Sequence, residues 1–487
     1  MNIILINVCG RMSSDGSRLI SALLKRAKHQ VKSVFFARRE PHDHEEPDLD
    51  ELVPLLEESD LVLVAVYSRY VVRAIKLTDY IHRNYPNKLV IWGGPHCISV
   101  PELSLAYADG VCFSDGDEVV VEFVNRLETG KNYLETPNMG FSVDGFLKIN
   151  EALPPFTDLD SLPYYDFDLE DHFILDRKLV PMTKEILRDG HAVYPFNKPI
   201  LFTITSRGCP HNCSYCNNCR YVALFGHNKI RSYSVSRIIK ELKYTLDKFD
   251  FFRLVGIGDD DFFVRPKEEI EDFAIQYKEQ IGLPFGIAIS ANTYRREKLE
   301  LLLDAGLKLI QMGVQSGSER VLEEVYNRKI SLSRTRAAIK DIEAYMKKSG
   351  LMLLVDFIID NPYETKEDII QTYNFILELP RKVTFNIFFL AFFPGTPLYE
   401  RAIKDGIIKE IEEISFRFYS SSGTTLRYQK NYETFLILLV KKLYTKFPNK
   451  IPAMLPFLRF LGSTSLRKVV SILPGSFFAG LSNLVNR

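Results

Sequence analysis

The chain has no excess of either charge, because 62 Lys and Arg residues balance 62 Asp and Glu residues over 487 positions. A nucleic-acid-binding surface usually shows as a basic excess, so we expect no nucleic-acid partner. No apolar run is long enough to cross a bilayer cleanly. The apolar first ten residues lack the cationic start of a signal peptide. These absences predict a folded cytoplasmic protein.

Cysteine is also scarce, with seven residues in all, and an odd number does not suit a framework of paired disulfides. Four of the seven crowd between Cys209 and Cys219. Clustered cysteines in a reducing cytosol indicate metal or redox chemistry rather than cross-linking.

The first 145 residues alternate apolar runs with helical patterns. The helical segment Gly16–Lys28 places Leu19, Leu23 and Ala27 on one face. Four runs predict buried strands, namely Asn2–Val8, Leu61–Val66, Lys88–Trp92 and Val111–Phe113. Strands separated by helices predict an α/β domain with a doubly wound, Rossmann-like parallel sheet over residues 1–145.

Residues 146–195 are interpreted as a linker, because the stretch Leu153–Asp168 is rich in Pro and Asp and shows no period. Residues 196–405 then repeat a strand and helix pattern, which predicts a partial (β/α)6 barrel with its site at the carboxyl ends of the strands. The six predicted strands are Ile200–Thr205, Phe252–Ile257, Phe285–Ser290, Leu307–Val314, Leu351–Ile359 and Thr384–Leu390.

Residues 406–487 form a predicted C-terminal helical region. Its tail from Ile451 is rich in Leu, Phe and Val and carries Arg459, Arg467 and Lys468. The pattern suits a helical cap on the core, and it also suits an amphipathic stretch that contacts a membrane surface from one side.

Cys209, Cys213 and Cys216 follow the first barrel strand with the spacing C-x3-C-x2-C. Thiolates are the ligands of iron–sulfur clusters, and three of them satisfy three irons of a 4Fe–4S cube and leave the fourth iron open. Cys219 keeps an alternative open, because four thiolates would complete a structural zinc site in a non-catalytic protein.

The cysteine motif, with Tyr215 before its last cysteine, resembles that of the radical S-adenosylmethionine (SAM) superfamily. Other segments are similar to family motifs in the family's order: Gly258–Phe262, Gly313–Ser318, Phe393–Tyr399 and, in part, Asn361–Thr365. The resemblance implies that S-adenosylmethionine contacts Tyr215, Asp259, Asp260, Gln315 and Ser316. Gln315 replaces the commoner Glu. Each motif has a structural alternative, since an acidic loop is often only solvated and Ser316 would also suit a helix cap.

The resemblance implies a 4Fe–4S cluster that cleaves S-adenosylmethionine to a 5′-deoxyadenosyl radical. It also implies an external low-potential electron donor and a small-molecule substrate. The Phe- and Tyr-rich barrel strands and the apolar tail leave a hydrophobic substrate as one option. The segments Leu169–Asn197 and from Ile407 onward are expected to cover the barrel mouth.

The N-terminal domain resembles the cobalamin-binding domain that precedes many radical enzymes. In that resemblance Ser68, Gly93, Gly94 and Gly116 line the cobalamin site at the carboxyl ends of the strands. The family motif D-x-H-x-x-G is absent, because the equivalent turn is Asn7–Met12. We therefore expect cobalt without a protein histidine ligand, or a domain that has lost cobalamin, and we expect His96 to pack or hydrogen-bond.

The two resemblances together predict cobalamin-dependent methylation of an unactivated carbon. A radical cyclase or rearrangement enzyme on the same scaffold is the alternative. A methylthiotransferase would need a second cluster on Cys9, Cys97 and Cys112, whose placement does not match that class.

Overall fold

The computed structural model describes residues 1–10, 12–13, 15–37, 47–193, 197–226, 229–408, 426–470 and 472–486. Its segments group into two compact units, each built from three separate stretches of chain. The first unit comprises Met1–Gly208, Cys216–Gly256 and Phe393–Ser420. The second comprises Cys209–Tyr215, Ile257–Phe392 and Ser421–Arg487.

The first unit holds a nine-stranded sheet in the order β7-β6-β5-β4-β3-β1-β2-β8-β9. Its strands are β1 Asn2–Asn7, β2 Gln30–Phe36, β3 Leu61–Ala65, β4 Leu89–Gly93, β5 Gly110–Cys112, β6 Met139–Val143, β7 Phe146–Ile149, β8 His172–Leu175 and β9 Leu179–Pro181. The six central strands run parallel. All four predicted strands are confirmed within one residue or two.

Both faces of this sheet are covered by helices. On β1, Ile4 and Ile6 pack in one core with Leu55 and Leu77, whereas Ile3 lies in a second core with helical residues of the opposite side. Nine helices of this unit are α1 Asp15–Arg26, α2 Val53–Glu58, α3 Val71–Asn84, α4 Pro95–Ser99, α5 Pro101–Ser104, α6 Asp117–Glu128, α7 Lys184–Gly190, α8 Asn218–Phe225 and α9 Val235–Lys248. Burial on two faces makes the sheet doubly wound, as predicted.

The stretch interpreted as a linker carries more structure than its Pro-rich sequence suggests. β8 pairs in parallel with β2 and extends the N-terminal sheet by one strand, and β9 pairs antiparallel with β8. The neighbour β2 was itself missed, because Lys32 and Ser33 interrupt its apolar run. A linker interpretation of residues 172–181 is therefore wrong, although the other predicted domain boundaries stay a prediction.

A second sheet has seven strands. The first unit holds β10 Ala192–Val193, β11 Lys198–Thr203 and, up to Gly256, β14 Leu254–Ile257, together with the separate pair β12 Ser206–Arg207 and β13 Arg231–Ser232. The second unit holds β15 Phe285–Ile289, β16 Leu307–Gln315, β17 Met352–Ile359 and β18 Thr384–Phe389, which run parallel to one another. All six predicted barrel strands are confirmed, and helices alternate with them as a partial β/α barrel requires.

The helices that follow are α10 Lys267–Gln280, α11 Arg296–Asp304, α12 Leu332–Ser349, α13 Lys366–Glu378, α14 Pro397–Lys404, α15 Tyr432–Lys446, α16 Ile451–Leu461, α17 Thr464–Val470 and α18 Gly475–Asn486. Helix α13 begins with a capping box, in which Thr365 and Asp368 exchange hydrogen bonds. Within the described residues no single helix is long and apolar enough to cross a bilayer. The bent pair Thr464–Val470 and Gly475–Val485 passes by length and composition only when both helices are taken together.

Candidate cofactor sites

The cysteine loop begins where the short strand β12 ends. Gly208 has φ +98°, a backbone conformation that glycine adopts without steric cost, and it starts the turn into Cys209. Cys213 is buried, whereas Cys209 and Cys216 are half-buried, and all three carry thiols rather than disulfides. This short loop therefore offers three free thiols, one buried and two half-buried, as possible thiolate ligands.

Within the second unit, backbone groups hold the middle of the loop. The backbone N–H of Ser214 donates to the Tyr326 carbonyl at 2.9 Å, and its hydroxyl donates to the Val325 carbonyl at 2.6 Å. The Asn327 side chain donates to the Asn212 carbonyl at 2.9 Å. These bonds fix the loop around Cys213 without using a side chain that a cluster would need.

A buried cation lies beside the loop. Arg328 donates from Nη1 to the Sγ of Cys213 at 3.4 Å and from Nη2 to the Gly313 carbonyl at 2.7 Å. Burial by itself lowers the pKa of Arg328, but Tyr215 and Cys213 outweigh it and raise that pKa above its ordinary value. A permanent cation stabilises thiolate sulfur. The burial of Arg328 beside the cysteine loop has no signal in the sequence, because an Arg-Lys pair after a helix usually marks solvent-exposed surface.

These residues fit an iron–sulfur cluster better than a single metal ion. Across the described part of the chain, no group of three His, Cys, Asp or Glu side chains surrounds one metal position. A structural zinc ion needs four ligands converging on it, so the zinc alternative that includes Cys219 has no geometric support. A cubane instead takes one thiolate at each of three separate irons, so its cysteines need not converge on a point.

Tyr215 packs edge-to-face on Tyr326, with ring centroids 4.9 Å apart and planes at 75°. The Tyr326 hydroxyl in turn accepts a hydrogen bond from the Asn361 side chain at 3.2 Å. The aromatic residue before the last cysteine is thus wedged against a buried ring. A contact of Tyr215 with S-adenosylmethionine stays a prediction.

The acidic turn after β14 contains three carboxylates, of which two are buried and one is exposed. Asp261 is buried and accepts from the Thr293 hydroxyl at 2.8 Å and from the backbone N–H groups of Phe263 and Ser290. It therefore shapes the turn. Asp259 is buried and Asp260 is exposed, and their predicted role in holding the cofactor is untested.

The end of β16 is strained. Gln315 has φ +73°, unusual for a residue with a side chain, and the register with β17 shifts at this point. Strained backbone of this kind clusters at functional sites. A contact of Gln315 with S-adenosylmethionine stays a prediction. The Ser316 hydroxyl is 3.2 Å from the Thr372 hydroxyl and accepts from the Ser318 N–H at 3.2 Å, so it already has structural partners.

The carboxyl edge of the first-unit sheet holds three of the residues predicted for cobalamin, namely Ser68 after β3 and Gly93 and Gly94 at the end of β4. Gly94 has φ +101°, and a Cβ there would lie 3.0 Å from the Val66 carbonyl oxygen. The imidazole Nδ1 of His96 is 3.0 Å from the Ser68 hydroxyl. Burial lowers the pKa of His96 to about 4, so the ring is neutral at pH 7. His96 is a packed, hydrogen-bonded residue, as expected.

Gly116 lies at the start of α6 in a turn between two carboxylates. A Cβ at Gly116 would lie 3.1 Å from the Ile20 side chain. Arg207, two residues before Cys209, donates to both oxygens of Asp117 at 2.5 and 3.1 Å. Arg231 and the Tyr221 hydroxyl both bond to Asp115. Within the first unit, this ion network joins the glycine turn to the strands that lead into and out of the cysteine loop.

Among the N-terminal cysteines, Cys9 and Cys97 are buried and Cys112 is half-buried. Burial raises the pKa of the Cys112 thiol to about 12, and it raises that of Cys97 even further. Neutral thiols are poor cluster ligands, because the metal binds the thiolate. This environment gives no support to a second cluster of the methylthiotransferase kind.

Comparison with known protein families identifies the domain that carries the cysteine loop. Residues 203–376, which carry the cysteine loop and the strained end of β16, match the radical SAM superfamily. These residues form a radical SAM domain. The chain is therefore an enzyme that uses a 4Fe–4S cluster and S-adenosylmethionine. Cys209, Cys213 and Cys216 carry free thiols and stay the residues predicted to hold that cluster.

Two relatives and one solved structure are similar to this chain beyond residues 203–376. An uncharacterized methyltransferase of Pyrococcus horikoshii is 26% identical over 79% of this chain and 76% of its own length. The anaerobic magnesium-protoporphyrin IX monomethyl ester cyclase of Rubrivivax gelatinosus is 21% identical over 70% of this chain, which covers 58% of the cyclase. The radical SAM methyltransferase TsrM of Kitasatospora setae, solved with cobalamin and a 4Fe–4S cluster, shares the fold with TM-score 0.65 at 14% identity, over 83% of this chain and 78% of TsrM.

The radical SAM barrel also carries a polar row that sequence analysis missed. Asp356 of β17 accepts from Gln311 of β16 at 2.6 Å and from Asn386 of β18 at 3.0 Å. Phe357, the next residue, packs on Phe375 of α13, so the row lies on the strand face opposite the helices. A single carboxylate inside the apolar run Met352–Ile359 was the available signal, because buried polar groups need a reason.

Proposed function

We propose that the chain is a cobalamin-dependent radical SAM methyltransferase that methylates an unactivated carbon of a small molecule. The observation that carries the proposal is the order of its parts. A doubly wound sheet with a glycine turn at its carboxyl edge precedes a radical SAM domain in the same chain. Similarity to an uncharacterized methyltransferase over 79% of this chain and the shared fold of TsrM support the same order.

Each group of residues has a separate task in this proposal. Bound together, the cluster and S-adenosylmethionine supply 5′-deoxyadenosyl radical chemistry. Cys209, Cys213 and Cys216 hold the cluster, and Arg328 keeps a cation beside the Cys213 sulfur. Asp259, Asp260, Gln315 and Ser316, with Tyr215, are proposed to orient S-adenosylmethionine.

Cobalamin fits the N-terminal sheet on steric grounds. Gly93 and Gly94 leave the backbone at the end of β4 accessible, and Ser68 and Gly116 follow β3 and β5. The turn after β1 offers no histidine. Instead, Asn7 accepts from the Cys9 N–H at 3.0 Å and donates to the Ser17 hydroxyl at 3.1 Å. Arg11 of this turn lies outside the described residues. We propose that the protein binds cobalamin without contributing a histidine to cobalt.

The substrate is proposed to be a small, mostly apolar molecule with one polar group. Asp356 supplies the only carboxylate in strands β15–β18, and its strand neighbours Leu354 and Ile358 on the same face are apolar. A buried hydrogen-bonded carboxyl selects a partner that donates a hydrogen bond. An external low-potential donor is proposed to supply the electron. The buried thiols suit the reducing cytoplasm.

The test is anaerobic reconstitution of the full chain with iron, sulfide and cobalamin, followed by incubation with methyl-labelled S-adenosylmethionine and a small-molecule extract. We expect a cluster absorption band, 5′-deoxyadenosine and a labelled product. Cys213→Ala should lose all three signals, whereas Cys219→Ala should keep them. Equal loss in both variants would indicate a centre held by four cysteines and would contradict the proposal.

A matched glycine pair tests cobalamin separately. Gly94→Val places a side chain against the Val66 carbonyl, whereas Gly130→Val adds one where nothing lies within 4 Å, at a similarly positive φ of +68°. We expect the first variant alone to lose cobalamin on gel filtration, with its cluster retained. Equal retention by both would remove the N-terminal sheet from the proposed site.

A radical cyclase is the second candidate, favoured by similarity to the Rubrivivax gelatinosus cyclase over 70% of this chain. The two reactions differ in the fate of the label. A cyclase would form 5′-deoxyadenosine and an altered product that carries no labelled methyl group.

A further inference from the structure

The last three helices of the second unit expose apolar side chains that globular proteins usually bury. Phe457 and Phe460 of α16 are 57% and 59% exposed, and Ile472, between α17 and α18, is 82% exposed. We call the set the C-terminal apolar face. Its members are Phe457, Phe460, Val469, Ile472, Leu473, Phe477 and Leu484. Seven exposed apolar side chains within 28 residues of chain are more than a folded protein usually leaves in water, and such an excess marks an interaction site.

In helix α16, the exposed apolar side chains are different residues from those that pack against the protein. Its inward side is already satisfied, because Ile451 and Leu458 are buried and the Leu458 carbonyl accepts from the Tyr373 hydroxyl at 2.6 Å. Phe457 and Phe460, three residues apart, share the outward side. A helix that is apolar on all sides requires an apolar environment on the side the protein does not cover.

The charge of the region identifies that environment. No Asp or Glu occurs after Glu433, whereas Lys441, Lys442, Lys446, Lys450, Arg459, Arg467, Lys468 and Arg487 do. Arg467 is paired inward with Glu367 and Glu433. Lys446 at the end of α15, Lys450 just before α16 and Arg459 within α16 are exposed. Lysine is depleted at protein–protein interfaces, whereas Lys and Arg around Phe and Leu are typical of helices that lie on anionic lipid.

We propose that the C-terminal apolar face docks the enzyme on an anionic lipid bilayer. Helices α16 to α18 lie in the interface, where Phe457, Phe460 and Ile472 enter the acyl boundary and the exposed cations meet lipid phosphates. The 110° bend between α17 and α18 suits contact from one side. The proposal does not depend on which reaction the radical SAM domain performs.

The test is co-sedimentation of the anaerobically reconstituted full-length protein with unilamellar vesicles. Phosphatidylcholine vesicles are compared with phosphatidylcholine–phosphatidylglycerol vesicles. We expect binding to the anionic vesicles, and weaker binding as salt screens the charges. The double variant Lys450→Glu/Arg459→Glu should bind at least about fivefold less tightly for each cation removed.

The apolar contribution has its own variant and a matched control. Phe457→Ser/Phe460→Ser should lower vesicle affinity at least about tenfold. Phe146→Ser changes a Phe that is 78% exposed in the first unit and should leave binding unchanged. Circular dichroism and cluster absorption verify that each variant is folded.

Two results would overturn the proposal. One is a wild-type protein that stays in the supernatant with both kinds of vesicle. The other is a wild-type oligomer that the Phe457→Ser/Phe460→Ser change converts to a monomer without any effect on vesicle binding, since the face would then join two copies of the chain.

Discussion

At the scale of single residues, Glu364 is a buried carboxyl whose charge depends on pH. Burial raises its pKa to about 8, and the neighbouring Asp368 adds to the shift. The pKa of Asp368 shifts in the opposite direction. Arg320, Ser318 and Thr365 bond to its carboxylate, and these bonds outweigh burial and lower the pKa. The fold therefore holds Glu364 neutral and Asp368 charged at pH 7.

This contrast predicts a pH-dependent stability. Because the folded pKa of Glu364 exceeds its ordinary value of 4.5, its stabilising contribution is complete below pH 4.5 and is lost as the pH rises towards 8. Glu364→Gln removes that loss, so its melting temperature should exceed that of the wild type increasingly between pH 6 and 8. The gain is of the order of a few kcal/mol. Glu323→Gln, at an exposed position, is the control, and parallel melting curves for all three proteins would contradict the prediction.

Residue-scale features were predictable only where the residue belongs to a spaced motif. The three cysteines proposed to hold the cluster are predicted from their spacing, because three thiols within eight positions have few other uses. Arg328 was not predictable, since its contact with Cys213 joins positions 115 apart in the chain. The positive φ of Gln315 also has no sequence signal, because Gln rarely adopts it.

At the scale of elements, the Arg207 ion network holds the Asp115–Asp117 turn to the strand pair β12–β13. Arg207→Met would leave the Asp117 carboxylate buried without its bidentate partner, which costs about 3–5 kcal/mol. We expect a correspondingly lower melting temperature, and Arg207→Lys should recover only part of it, because an ammonium cannot bond both oxygens in the same fork.

The control for this network is an ion pair of the same type on the surface. Arg188 bonds Asp189 at 2.9 Å in an exposed position. Arg188→Met should cost no more than about 1 kcal/mol. Equal melting temperatures of the Arg207→Met and Arg188→Met proteins would show that the network is only a surface feature.

Strands and helices with a strong period were predicted well, and interrupted ones were not. The six barrel strands are continuous apolar runs, so their positions follow from the sequence. The strand β2 contains Lys32 and Ser33, and the short strand β8 contains a buried His172. Both depend on partners far along the chain, so local pattern alone does not reveal them.

At the scale of the whole molecule, the charges balance but are not evenly distributed. Eight of the 62 cationic residues and none of the 62 anionic residues lie after position 433, so the first 433 residues carry an excess of eight negative charges. Opposite charges on different parts of molecules without net charge favour association.

We therefore expect minimum solubility near pH 7 at low ionic strength. Light scattering across pH 6 to 9 should show a maximum in turbidity near neutrality that added salt removes. A solubility that changes in one direction across this range, or that is unaffected by salt, would contradict the expectation.

The two classes of domain were predictable from the order of strands and helices, but the composition of the compact units was not. Local pattern divides the chain into consecutive blocks, whereas the units depend on contacts between distant segments. The seven residues Cys209–Tyr215 belong to the second unit, although the residues on both sides of them belong to the first.

This interleaving limits how the enzyme can be taken apart. The chain passes from one unit to the other at Gly208, Tyr215, Gly256 and Phe392, and once more between residues 408 and 426. No single stop codon or protease nick can release either unit intact, because every contiguous fragment long enough to complete one contains part of the other. The two units can therefore be produced only together, as one uninterrupted chain.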